Sequence, residues 1–254
     1  MNSVTTSSAI SELTRVLLDA NIIAKPVTRT LLVVGGVPSG FRAFWSRAAE
    51  REAQVHMRPK ALPPSSVRER FDVLLGPTGT GAERFGGTKG ADRQILADAA
   101  AAGARFLVTE DVDDYGLDDL ASVGISAANP DLFLAARLTR DAYSTVIDLF
   151  VERQLNPPTT PAQFHAAIAK NHPRLFAAHA DLYEVEPEHG IHGEPEVIFR
   201  GARCLRCEQI IADSATIVDG LGPDGDSLLP RRTGCGSATS RSTARKTDGS
   251  TAPP

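Results

Sequence analysis

Along its first half the chain alternates short apolar runs with longer stretches of helical spacing, and that alternation restricts the fold more than any other feature. Residues 15–18 (RVLL), 104–109 (ARFLVT) and 123–126 (VGIS) read as strands, and amphipathic segments lie between them. Strands separated by helices do not pair as hairpins. They line up as a parallel or mostly parallel sheet with helices on both faces, so the expected class is α/β. In such sheets ligands sit beyond the carboxyl ends of the strands, which is where chemistry is to be sought.

RVLLDANII, residues 15–23, reads as a buried strand whose polar interruption, Asp19 with Asn21, falls where the strand should end. After Gly35, Gly36, Pro38 and Gly40, the stretch Phe41 to Met57 has Phe44, Trp45, Ala48, Ala49 and Glu52 at helical offsets and predicts a helix. Pro59 ends it, Ser65 or Ser66 is placed to cap a helix running through Leu75, and GPTGTGAERFGGTKG reads as loop. DRQILADAAAAG, Asp92 to Gly103, predicts an Ala-rich packed helix closed by glycine, and Pro130 opens another. Residues 141–183 look helical in two pieces broken by NPPTTP. From Val185 on, Gly, Pro, Ser and charge dominate, and SATSRSTARKTDGSTAPP has the composition of a disordered tail. The expected division is a domain over 1–145, a helical extension over 146–183, and an irregular, partly disordered segment over 184–254.

At 254 residues and 42% hydrophobic the chain suits a globular domain with room for a small appendage. No run approaches the length of a membrane span, and the start lacks a basic region followed by an apolar one, so a cytoplasmic protein without a membrane partner is expected. Only Cys204, Cys207 and Cys235 occur, all late, and they supply no disulfide framework for the core. The net charge of −4 argues against a protein held to nucleic acid by bulk charge, while leaving room for a nuclease whose own acids are neutralised by metal.

Four acids stand out. Asp19 ends the first strand and Asp111 follows the strand ending at Thr109, so a parallel pairing brings both to one edge. Asp92 starts the helix that feeds the second of these strands, where the positive end of the helix dipole helps it stay ionised. Glu52 lies near the apolar stripe of its helix. Carboxylates gathered this way suit hard divalent ions that activate water against a phosphodiester. Each also has a plainer explanation: an Asx turn for Asp19, an N-cap for Asp92, a solvated turn for Asp111 with Asp113 and Asp114, and a surface position for Glu52.

LLDANII, WSRAAEREAQVHMRPK, ADRQILADAAAAGARFLVTEDVDDYG and GISAANPDLFLA resemble, in order, the successive blocks of bacterial PIN domains, most closely those of VapC-like toxins. The resemblance spans about residues 15–175, because VERQLNPPTTPAQFHAAIAKNHP is similar to the helical extension of many such domains. It implies a PIN-like α/β fold and a Mg²⁺- or Mn²⁺-dependent endoribonuclease. It also implies RNA as substrate, a small cognate antitoxin as partner, and a homodimer as a common assembly. The family's metal site maps onto Asp19, Glu52, Asp92 and Asp111, with Thr109 at the family's threonine. Glu50 is the alternative to Glu52. Of the two further acids, Asp114 rather than Asp113 is expected to assist the metal, since the family often places an acid just before an aromatic such as Tyr115.

Other motifs are weaker. Gly76 and Gly81 have P-loop spacing, but Ala82 and Glu83 stand where Lys and Ser/Thr are required. Cys204 and Cys207 form a C-x-x-C that Cys235 with His189 or His192 could complete as a zinc site, although a second close pair is missing. Arg42, Arg47, Arg51, Arg58, Lys60, Arg68 and Arg70 gather around the second and third helices and suit either an RNA backbone or ordinary solvation. A receiver-like phosphoacceptor site also clusters strand-end acids but requires a late Lys that is missing here.

Overall fold

In the computed structural model, which describes residues 13–58, 61–154, 157–188, 197–201, 203–210 and 218–221, the alternating runs form one sheet. Its strands are β1 (Thr14–Leu18), β2 (Phe41–Phe44), β3 (Phe106–Val108), β4 (Ser126–Ala128), β5 (Val197–Gly201) and β6 (Val218–Leu221), in the spatial order β2-β1-β3-β4-β5-β6. The first four run parallel, and β5 and β6 are antiparallel additions at one side. The fold is α/β with a mostly parallel sheet. Helices cover both faces of the central strands, so these lose the usual alternation: Val16, Leu17, Leu18, Phe106, Leu107 and Val108 are all inaccessible to solvent.

Helix α1 (Ala20–Ile23) turns directly off β1, and α2 (Pro26–Gly36) follows with proline in its first turn. The sequence hides α2 because its last turn is a glycine pair. That pair allows close packing: a Cβ on Gly35 would lie 2.5 Å from Leu138 Cδ1, and one on Gly36 would lie 2.9 Å from the Phe41 ring. The helix expected over Phe41 to Met57 is divided. Its first residues form β2, with Phe41 and Phe44 buried, and α3 (Arg47–His56) starts at Ser46, whose hydroxyl accepts from the Ala49 amide at 3.2 Å. Short edge strands carry too few residues to show a period.

Helix α4 (Pro64–Arg70) begins one residue before Ser65, so neither serine caps it, and it stops well short of Leu75. The glycine-rich loop is pinned to α5 (Asp92–Ala101): the Gly79 amide donates to Asp98 Oδ1 at 2.7 Å, and Gln94 Nε2 donates to the Gly79 carbonyl. Gly103 follows at φ +66°, the left-handed turn expected after this helix. Helices α6 (Leu117–Val123) and α7 (Pro130–Arg137) flank β4.

Helix α8 (Arg140–Arg153) runs through residues 145 and 146, where a boundary was expected, and packs on α2. The two expected helical pieces are three, with α9 (Pro161–Ile168) and α10 (Pro173–Ala178) following. Asp131 of α7 accepts from the amides of Arg174 and Leu175, at 3.0 and 2.9 Å, and so ties α10 to the sheet-flanking layer. The segment expected to be irregular supplies β5, whose Ile198 and Phe199 are buried. Gly201, at φ +138° and with no room for a Cβ beside Ser126, lets β5 lie against β4. Tail residues 222–254, and with them Cys235, lie outside the described residues, as do Lys60, His189 and His192. No described helix is long and apolar enough to cross a membrane.

Candidate functional site

Asp19 sits where β1 stops. Its amide still bonds to the Val108 carbonyl of β3 at 3.0 Å, but its side chain caps α1, Oδ1 accepting from the Ala20 amide at 2.7 Å. Oδ2 accepts from the Thr109 hydroxyl at 2.7 Å, so the two parallel strand ends are joined through a carboxylate that is only 5% exposed. Asn21 completes the link. Its Nδ2 lies 3.3 Å from Asp19 Oδ2, 3.1 Å from Thr109 Oγ1 and 3.0 Å from Asp111 Oδ2. Thr109 Oγ1 also accepts from the Asp111 amide at 3.1 Å. The structure therefore brings Asp19 and Asp111 together, and Asn21 is a working member of the cluster rather than a partner in a local turn.

Asp92 is the first helical residue of α5, and Ala91 occupies the cap position, so the carboxylate has no capping bond. It is half-buried and is pushed up to about 7, first by burial and then by the charges of Asp19, Asp114, Glu52 and Asp111. Asp19 is pushed up to about 6, again first by burial; its bonds to Thr109 and Ala20 oppose the rise, and Glu52 and Asp111 add to it. Acids from four separate stretches of chain therefore act on one another. Glu52 belongs to this group. Glu50 does not: its Oε2 lies 3.7 Å from Arg68 Nε, across the α3–α4 contact.

Asp113 and Asp114 differ as well. Asp114 forms an ion pair with Lys89 and its charge reaches Asp92, whereas Asp113 is more exposed and stands 3.6 Å from the same ammonium. The Lys89 amide donates to the Asp114 carbonyl at 2.9 Å, so the glycine-rich loop, not a phosphate cradle, supports this acidic turn. Arg200 of β5 supports it from the other side, its Nη1 donating to the carbonyls of Asp113 and Tyr115, each at 3.1 Å. Nothing in the local sequence around Arg200 signals that role.

The cluster offers oxygen donors alone, the chemistry that hard divalent cations select. Two of its carboxylates are raised, first by burial and then by the neighbouring acids, and a cation among them would offset both effects. As the side chains stand, no three His, Cys, Asp or Glu groups among the described residues are close enough to hold one ion. Closure around a cation therefore requires side-chain rotation, for which Asp92 is free of any capping bond.

Arg42, Arg47, Arg51, Arg58 and Arg70 are exposed, and Arg68 turns to Glu50. Cys204 and Cys207 occupy a tight turn closed by the Arg203–Ile210 bridge, with the Cys204 amide donating to the Gln209 carbonyl at 3.2 Å. Glu208 of that turn binds Arg105 and Arg137, each at 2.6 Å, and so fastens the turn to the sheet. The turn thus has a structural task that its sequence did not disclose. Comparisons with protein-family models, with curated proteins and with solved structures return no match for this chain.

Proposed function

We propose that the protein is a divalent-cation-dependent endoribonuclease of the PIN type, with Asp19, Glu52, Asp92 and Asp111 as its acidic centre and Asp114 assisting. The observation that carries this reading is the geometry at the C-terminal edge of a parallel sheet, where Asp19 and Asp111 meet through Thr109 and Asn21 and like charges from α3, α5 and the loop after β3 repel one another. A fold gains no stability from such repulsion, so its use is sought in a bound cation. Mg²⁺ or Mn²⁺ there would supply Lewis acidity toward water and phosphate. Thr109 and Asn21 hold Asp19 and Asp111 in register, and α5 supplies Asp92 as its first residue. The sequence resemblance adds RNA as substrate, a small antitoxin as inhibitory partner and a homodimer as assembly.

A second reading, a PIN-like scaffold that binds RNA or protein without catalysis, draws on the Lys89–Asp114 pair, in which the chain's own ammonium already neutralises one of the acids. One experiment separates the two. Protein purified free of any bound inhibitor is incubated with a mixed RNA pool and Mn²⁺ or Mg²⁺, beside an EDTA control and the Asp92→Asn variant. Cleavage that EDTA abolishes, and that Asp92→Asn reduces to the EDTA level, supports the nuclease. Intact RNA under both ions favours the scaffold.

A further inference from the structure

Tyr115 follows the acidic turn, and its side chain is fully buried. Its hydroxyl approaches Asp19 but makes no hydrogen bond of ordinary geometry, and among the described residues no other group partners it. A buried hydroxyl without a partner is destabilising, and phenylalanine would fill the same space without that cost. Among the described residues the core makes no hydrogen bond of ordinary geometry with this oxygen atom. The charges that bear on it are those of Asp19, Asp92 and Glu52, the acids of the cluster itself. Asp19 already accepts from Ala20, Thr109 and Asn21, and Asp92 is free of any capping bond. The ring's place is set independently: Arg200 holds the Tyr115 carbonyl, and Val112, also fully buried, anchors the turn before it.

We infer that Tyr115 is a positioning residue of the acidic centre, its hydroxyl donating into the Asp19–Asp92 pair when a divalent cation draws the two carboxylates together. This inference rests on the reading of those acids as a cation site. It turns a contact with Asp19 that falls short of ordinary hydrogen-bond geometry into a full hydrogen bond in the cation-bound protein, as expected for a group that orients a ligand without touching the ion. The consequence is asymmetric. Removing the hydroxyl leaves the cation-free protein at least as stable and weakens cation binding.

The test is Tyr115→Phe in the full chain, with Mn²⁺ as the probe, thermal unfolding in EDTA, and titration calorimetry. The expected result is an unfolding temperature in EDTA equal to or above that of the parent, with Mn²⁺ affinity about tenfold lower. Affinity within twofold of the parent overturns the inference, and so does a lower unfolding temperature in EDTA, which would make the hydroxyl a structural group. If the parent protein itself takes up no Mn²⁺, the acidic-centre reading fails and the inference falls with it. That outcome is distinct from a parent that binds Mn²⁺ and a variant that binds it equally well.

Discussion

Replacing Asp19 by Asn should stabilise the cation-free protein at neutral and alkaline pH, although the substitution sits in the core beside three hydrogen-bond donors. The Asp19 carboxyl, ordinarily near 3.8, is pushed up to about 6 by burial and by Glu52 and Asp111. At 1.36 kcal/mol per pH unit, ionising it inside the fold costs about 3 kcal/mol above pH 6. With its oxygen kept on Ala20, the amide turns an NH2 group, which cannot accept, toward Thr109 and Asn21, a loss of about 1 kcal/mol. A net gain of about 2 kcal/mol remains, and a chain of this size converts that into a rise of about 4–8 °C in unfolding temperature. The sign with pH follows from the raised carboxyl. The native state binds the proton more tightly than the unfolded chain, so stability is fullest below about 3.8 and is lost as pH rises toward 6. The advantage of Asp19→Asn should therefore vanish near pH 4–5 and reach its plateau above 6. Thermal unfolding followed by circular dichroism in EDTA, at closely spaced pH values from 4 to 8, measures it. With saturating Mn²⁺ the order should reverse, because only the parent gains binding energy. A variant less stable than the parent at pH 8 in EDTA, or a difference that stays constant across that range, refutes the reasoning.

Two further outcomes are expected. Glu52→Gln should weaken Mn²⁺ binding by an order of magnitude or more, while Glu50→Gln, which removes only the Arg68 pair, should leave the affinity within twofold; calorimetry on both variants decides between the two helical acids. His172, whose Nε2 lies 2.9 Å from Thr28 Oγ1, is pushed down to about 4 by burial and then by Lys25. The unfolded chain binds that proton first, so stability falls with acidification between 6.5 and about 4, by about 3 kcal/mol in all. His172→Gln should flatten this part of the acid-unfolding curve, and an unchanged acid slope would exclude His172 as its source.

Much of the candidate site was legible in the chain because its logic is local. An apolar run interrupted by Asp19, and another followed by Thr109 and Asp111, mark strand ends. Parallel pairing then sends both ends to one edge. The start of α5 was visible from its alanine-rich stripe, although Asp92 proved to be its first helical residue rather than its cap. Glu50 and Glu52 could not be ranked, because two positions on one helix differ only in what packs against them, and Arg68 lies on another helix. Helix α2 was masked by glycines whose meaning is close packing against Leu138 and Phe41. Strand β2 was masked by its shortness, and β5 by its polar and glycine-rich surroundings.

The sequence by itself determined the alternation of strand and helix, hence the parallel core and the edge at which acids collect, since hydrophobic periods and turn residues act over a few neighbouring positions. Only the tertiary structure decided that β5 and Arg200 brace the acidic turn, that Lys89 claims Asp114, and that the Tyr115 hydroxyl faces the cluster. Burial and charge at one atom are sums over groups far apart in the chain, and no local pattern encodes such a sum.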